Sequence, residues 1–120
     1  MLLCDVKKVL NADLLTSDSD ALNTTEILTA CGCDLMSDVL AFVKEQTMLM
    51  TGLINSQVIR TAEMMDIKAI VFVRGKKPTE DIAELAREYK MVVMTTDYTL
   101  YPSCGKLYCA GLVPNEERVD

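Results

Sequence analysis

The 120-residue chain contains no histidine. That removes the side chain that most often moves protons near neutral pH, and every mechanism that passes through a phosphohistidine. Positive charge is also scarce: 12 Lys and Arg against 18 Asp and Glu leave a net charge of -6. Nucleic-acid binding depends on clustered cations that neutralise phosphates, so this balance argues against nucleic acid as the main partner, and against anionic membrane surfaces. Long apolar runs are missing too. Asp5, Lys7 and Lys8 interrupt the stretch from Met1 to Leu10, so it lacks the apolar core of a signal peptide, and no run reaches the length of a membrane span. A cytoplasmic location without membrane association is expected. There the five cysteines stay reduced, and an odd number suits a disulfide framework poorly.

What is present suits one globular domain. Hydrophobic residues make up 50% of the chain and charged residues 25%, the ordinary mix for a folded chain with a single core. The domain is expected over 1–113, with 114–120 as a flexible acidic tail. Its organising feature is a strand-turn-helix unit that occurs twice, Met48 to Asp66 and Ile70 to Lys90. Placing Gly52 on Gly75, an offset of 75 − 52 = 23, lays Met48, Leu49 and Met50 on Val71, Phe72 and Val73, and Ile59 on Ile82. Successive β-α units imply a parallel sheet, whose ligands usually sit beyond the carboxyl ends of the strands.

The remaining elements follow from periodicity. Leu3, Val6 and Leu10 share a helical face, Asp13 to Thr16 reads as a first strand, Ser17 to Asn23 as a polar loop, and Thr25 to Cys31 as a second strand. Asp34 is placed to cap a helix that presents Met36, Val39, Leu40 and Val43 on one side. Leu35 and Phe42 widen that stripe, so the Leu35, Met36, Val39 and Phe42 face is either a homodimer interface or a deeply buried helix. Met48 to Thr51, Ala69 to Val73 and Met91 to Met94 are continuous apolar runs, as in strands covered on both faces. Helices are expected over Asn55 to Asp66, Thr79 to Lys90 and Leu100 to Ala110, with Pro102 in the first turn of the last and Gly111 ending it.

Beyond the three central strands the sequence gathers Thr51, Gly52 and Asn55, then Arg74, Gly75, Lys76, Lys77 and Thr79, then Thr95, Thr96 and Asp97. Hydroxyls, helix-start N–H groups and the cations of one turn suit a small anion such as a phosphate or nucleotide. Each residue also has a plain structural use as cap, turn or solvated charge. Cys31, Cys33, Cys104 and Cys109 could meet in a metal site only if the second strand lay beside the last helix. Their spacing is not that of paired CxxC motifs, so no metal and no cofactor is expected. Asp34 and Asp38 share a helical face and read as helix-start carboxylates, with a cation site as the other use. The eight Met are scattered rather than striped and read as core filler, with Met64 the candidate for exposure.

The segments DLMSDVLAFVKE, LMTGLINSQVIRTAEM, AIVFVRGKKP and VVMTTDYTLYPSCGKLY resemble the DRTGG domain family over nearly the whole chain. Of the family's namesake letters only Gly75 is kept: Leu53 and Ile54 stand in place of Asp-Arg, and Val73 and Arg74 in place of Thr-Gly. The resemblance implies a three-layer α/β/α fold with a mainly parallel sheet of about five strands, like the N-terminal domain of HPr kinase. It also implies a regulatory or dimer-forming role, as in pyrophosphatases with CBS domains and in phosphate acetyltransferases. Stand-alone relatives accompany hydrogenase subunits and anti-sigma-like kinases, so a protein partner in signalling or redox metabolism is implied as well. No GxxxxGK(S/T) phosphate loop is present, so the similarity is to a non-catalytic domain. The expected function is a homodimeric, non-enzymatic module that senses a small anion, with a dimeric interaction scaffold without a small ligand as the alternative.

Overall fold

The computed structural model describes residues 1–16, 19–43 and 45–114, without the side chain of Phe42. In chain order the elements are α1 (Leu3–Val9), β1 (Asp13–Leu14), α2 (Ser19–Thr24), β2 (Thr29–Gly32), α3 (Met36–Phe42), β3 (Thr47–Thr51), α4 (Ser56–Met64), β4 (Ala69–Phe72), α5 (Glu80–Glu88), β5 (Val92–Thr95) and α6 (Leu100–Cys109). The strands form one sheet in the order β1-β5-β4-β3-β2, parallel throughout except for β1, which runs antiparallel to β5.

Side chains alternate across the sheet and so build two cores. Met48, Met50, Val71 and Met94 meet Leu3, Val6 and Leu107, whereas Leu49, Ile70, Phe72 and Val93 meet Val39, Ile59 and Ala86. The layers are therefore α1, α2 and α6 on one face and α3, α4 and α5 on the other. Burying each large apolar side chain contributes about 1.5–3 kcal/mol, and the three central strands are buried at every position. This is why they read as unbroken apolar runs.

Several boundaries depart from the sequence reading. The polar stretch expected to be a loop folds at Ser19–Thr24 into α2, because Leu22 is buried in the first core; Ser17 and Asp18 lie outside the described residues. The first strand is only two residues long, after which Leu15 N still reaches Val93 O and Val93 N reaches Thr16 Oγ1. The second strand begins later than expected. Its lead-in is tied to the amino terminus, through Leu3 N to Thr25 O and Ile27 N to Met1 O, and joins the β3 side only at Leu28 N to Gln46 O and Gln46 Nε2 to Glu26 O. Asp34 does not cap α3: the N-cap is Leu35, with no side-chain bond. The proposed tail residues Asn115 to Asp120 lie outside the described residues.

Helix α3 divides its apolar side chains. Met36 and Val39 are buried in the chain's own second core, whereas Leu35 and Leu40 are 58% and 45% exposed. Met36 and Val39 thus satisfy the chain itself and are not available to a partner. Phe42 belongs to α3, but its side chain is outside the description. Met64 is exposed, as its place on the polar side of α4 requires.

Four helices end in the same left-handed turn, at Asn11, Asp66, Lys90 and Gly111. In each, the next two N–H groups fold back on the last helical carbonyls, as Lys90 N does to Arg87 O and Met91 N to Ala86 O. Only one of the four uses glycine. A side chain in this conformation costs about 1 kcal/mol, so Lys90→Gly should raise the chemical-denaturation midpoint, and Lys90→Val, β-branched at a positive φ, should lower it.

Candidate functional site

β4 leads into α5 on one face of the sheet and β5 leads into α6 on the other. Adjacent parallel strands whose connections diverge open a crevice at their carboxyl ends, the usual ligand position in open α/β sheets. Four strand-end segments and the end of one helix converge around this edge. Asp34 follows β2, Gly52 follows β3, Arg74 to Lys77 follow β4, Thr96 and Asp97 follow β5, and Leu10 closes α1.

The first turn already holds an anion, and the chain supplies it. Asp34 Oδ1 accepts from Thr51 Oγ1 and from Gly52 N, each at 2.8 Å. The carboxylate therefore takes the backbone donor that a phosphate would use, and Thr51, fully buried, serves it instead of solvent. The Gly52 N–H bond holds the Asp34 carboxyl below its usual range, helped by Thr51 and by the charges of Arg74 and Lys76, while partial burial opposes them. Arg74 lies across Gly52. Its Nη2 donates to Gly52 O at 3.3 Å, and a Cβ on Gly52 would fall 2.5 Å from that nitrogen. Gly52 is thus required for the approach of the guanidinium, whereas Gly75, at φ +67°, is required by its backbone conformation. The two glycines matched by the repeat do different work.

The second turn is tied to the strand beside it. Arg74 N donates to Tyr98 O and Gly75 N to Thr96 O, both at 2.8 Å, and Thr95 Oγ1 donates to Lys76 O at 2.6 Å. Thr96 Oγ1 donates to Leu10 O at 2.7 Å. Thr95 and Thr96 are buried structural donors, and the N–H groups of Arg74 and Gly75 are taken up internally. Asn55 caps α4 by accepting from Val58 N. Thr79 is the N-cap residue of α5, but its hydroxyl makes no cap bond and donates instead to the Asp81 carboxylate, which lowers that carboxyl's pKa. The first turn of α5 carries Glu80 and Asp81, whereas that of α4 carries no acidic residue. The start of α5 is therefore the more acidic of the two. Lys76 and Lys77 are exposed in the turn that follows β4.

Other candidates separate. Asp38 lies on α3 while Asp34 turns to the sheet, so they do not act as a pair. β2 and α6 do meet, with Cys104 Sγ seated against Gly32 so closely that a Cβ there would lie 2.7 Å away. Burial pushes the Cys31 thiol up to about 11, aided by Cys33, Cys104 and Asp38, and burial raises Cys104 also. Among the described residues no group of three His, Cys, Asp or Glu is placed to hold a metal. At the opposite end of the sheet a cleft of about 350 Å³ is lined by Glu26, Glu45, Gln46, Asp66 and Lys68. Sequence reasoning missed Asp34 as the occupant of the Gly52 turn. An acidic residue just past a strand was visible; that β2 lies beside β3 was not.

Because the folded pKa of Asp34 is depressed, its contribution is present above the unfolded value near 3.9 and is lost as pH falls through the folded one. Asp34→Asn should cost about 1 kcal/mol at neutral pH, a charged hydrogen bond discounted for exposure. In urea titrations the gap between variant and parent should close as pH drops below about 4.

A likeness to known proteins accords with this architecture. No curated protein matches the chain. A crystal structure of the CBS and DRTGG domains of the regulatory region of Clostridium perfringens pyrophosphatase, complexed with its activator diadenosine tetraphosphate, superposes with a TM-score of 0.72 at 14% identity. The match covers 88% of this chain but 45% of that one, so the two share a fold over less than half of the longer protein. No described helix is long and apolar enough to cross a membrane. The family model of the DRTGG domain matches residues 5–107, most of the chain, and the protein therefore belongs to the DRTGG domain family.

Proposed function

We propose that the chain is a non-enzymatic regulatory module that senses a small phosphoryl anion at the strand-end turns. The observation that carries this reading is the Asp34 carboxylate bound on Thr51 Oγ1 and Gly52 N beside Arg74. A site that holds a carboxylate with a backbone N–H, a hydroxyl and a nearby guanidinium has the donor set that phosphoryl oxygens take. Lys76 and Lys77 add positive charge over a turn on an otherwise acidic chain, which steers anions to this spot. The related pyrophosphatase region was crystallised with a nucleotide activator, and a regulatory role for its DRTGG partner domain agrees with sensing here.

A scaffold reading has its own support in Leu35 and Leu40, exposed on the outer side of α3. One experiment separates the two. A ligand that binds only the folded chain raises its apparent stability by mass action, so a thermal-shift screen of nucleotides, pyrophosphate and acyl phosphates should return at least one stabilising anion. Lys76→Glu combined with Lys77→Glu should abolish that shift while leaving the unliganded midpoint within about 0.5 kcal/mol, since exposed loop charges contribute little. A chain that ignores every anion offered, yet scatters light as a dimer that Leu35→Asp disperses, would replace sensing with scaffolding.

A further inference from the structure

The Asp34 carboxylate is held by two hydrogen bonds, from the last residue of β3 and the first residue after it, and it is itself exposed to solvent. Thr51 and Gly52 are buried, so a solute anion reaches their donors only by taking the place of the carboxylate. The exchange replaces one set of charge-assisted bonds by another of the same kind, so charge decides which occupant wins. A carboxylate brings one negative charge to Arg74 and Lys76, whereas a phosphoryl group can bring two.

Asp34 also stands two residues ahead of Met36, the first residue of α3. The N-cap, Leu35, gives that helix no side-chain bond, and the local tie from Leu35 N to Cys33 Sγ is a weak one at 3.3 Å. Behind Cys33 N, which donates to Met50 O at 3.0 Å, the carboxylate is the next tie between the lead-in to α3 and the end of β3. Resting on the anion-sensing reading, we propose that a phosphoryl anion binds at the Thr51–Gly52 turn by displacing the Asp34 carboxylate, and that the displacement releases the start of α3. Asp34 is then an internal competitor, and α3, with Leu35 and Leu40 exposed, is the element that reports occupancy.

The test titrates inorganic pyrophosphate into the parent chain and into Asp34→Asn by calorimetry at fixed salt. A binding site that is competent only part of the time loses apparent affinity by that fraction. Asp34→Asn should therefore bind about tenfold tighter or more than the parent. Saturating pyrophosphate should also speed hydrogen exchange at residues 36–42 of the parent. If the parent binds and the variant binds equally or more weakly, displacement is wrong while anion sensing stands. If neither binds, both fail. Exchange at 36–42 that is unchanged or slowed in the saturated parent overturns the release of α3, and this measurement decides even if the variant does not fold.

Discussion

A belt of hydrogen bonds across the carboxyl ends of the parallel strands is the constraint on which the rest of this structure depends. It runs from Asp34 to Thr51 and Gly52, from Arg74 to Gly52 O, from Arg74 N and Gly75 N to Tyr98 and Thr96, and from Thr96 to Leu10 O. Each parallel strand delivers its end to one line, so side chains distant in sequence meet there without any long loop. The apolar sheet fixes where those ends fall; the belt fixes what chemistry they can offer. Because most of its donors are engaged internally, the edge is a preorganised electrostatic surface.

Occupation by an internal carboxylate has a consequence for specificity. A turn that already binds an anion rejects weak ones, since any ligand must do better than Asp34 at the same donors. On the sensing proposal, monocarboxylates gain nothing by the exchange, whereas multiply charged phosphoryl groups gain through Arg74, with Lys76 and Lys77 adding long-range attraction that weakens with salt. The acidic first turn of α5 limits the same attraction on the neighbouring side, so the two β-α units, similar in sequence, are electrostatically unequal.

Much of the architecture is legible in the sequence, and for physical reasons. Strands covered on both faces must be apolar throughout, which exposed Met48 to Thr51 and Ala69 to Val73 at once, and Pro102 and Gly111 marked both ends of α6. The resemblance carried by the four quoted segments supplied the family, which the match over residues 5–107 bears out. What stayed hidden depends on tertiary neighbours. Asp34 looked like a helix cap because its own helix is local, whereas Gly52, eighteen residues on, is adjacent only through the pairing of β2 with β3. The left-handed ends at Asn11, Asp66 and Lys90 were invisible because surrounding bonds, and not glycine, hold them. At the strand ends the sequence leaves open donors that the fold engages internally: Thr95, Thr96 and the N–H groups of Arg74 and Gly75.

The proposal places anion binding at the strand-end turn around Gly52. Amide chemical shifts of isotope-labelled protein, followed through a titration with inorganic pyrophosphate, decide whether it binds there. Binding at this turn gives saturable shifts that centre on Gly52, Leu53 and the Arg74 to Lys76 turn and extend to Asp34 and Leu35. Shifts confined to Glu26, Gln46 and Lys68 at the opposite end of the sheet, or no saturable shift at all, would contradict it.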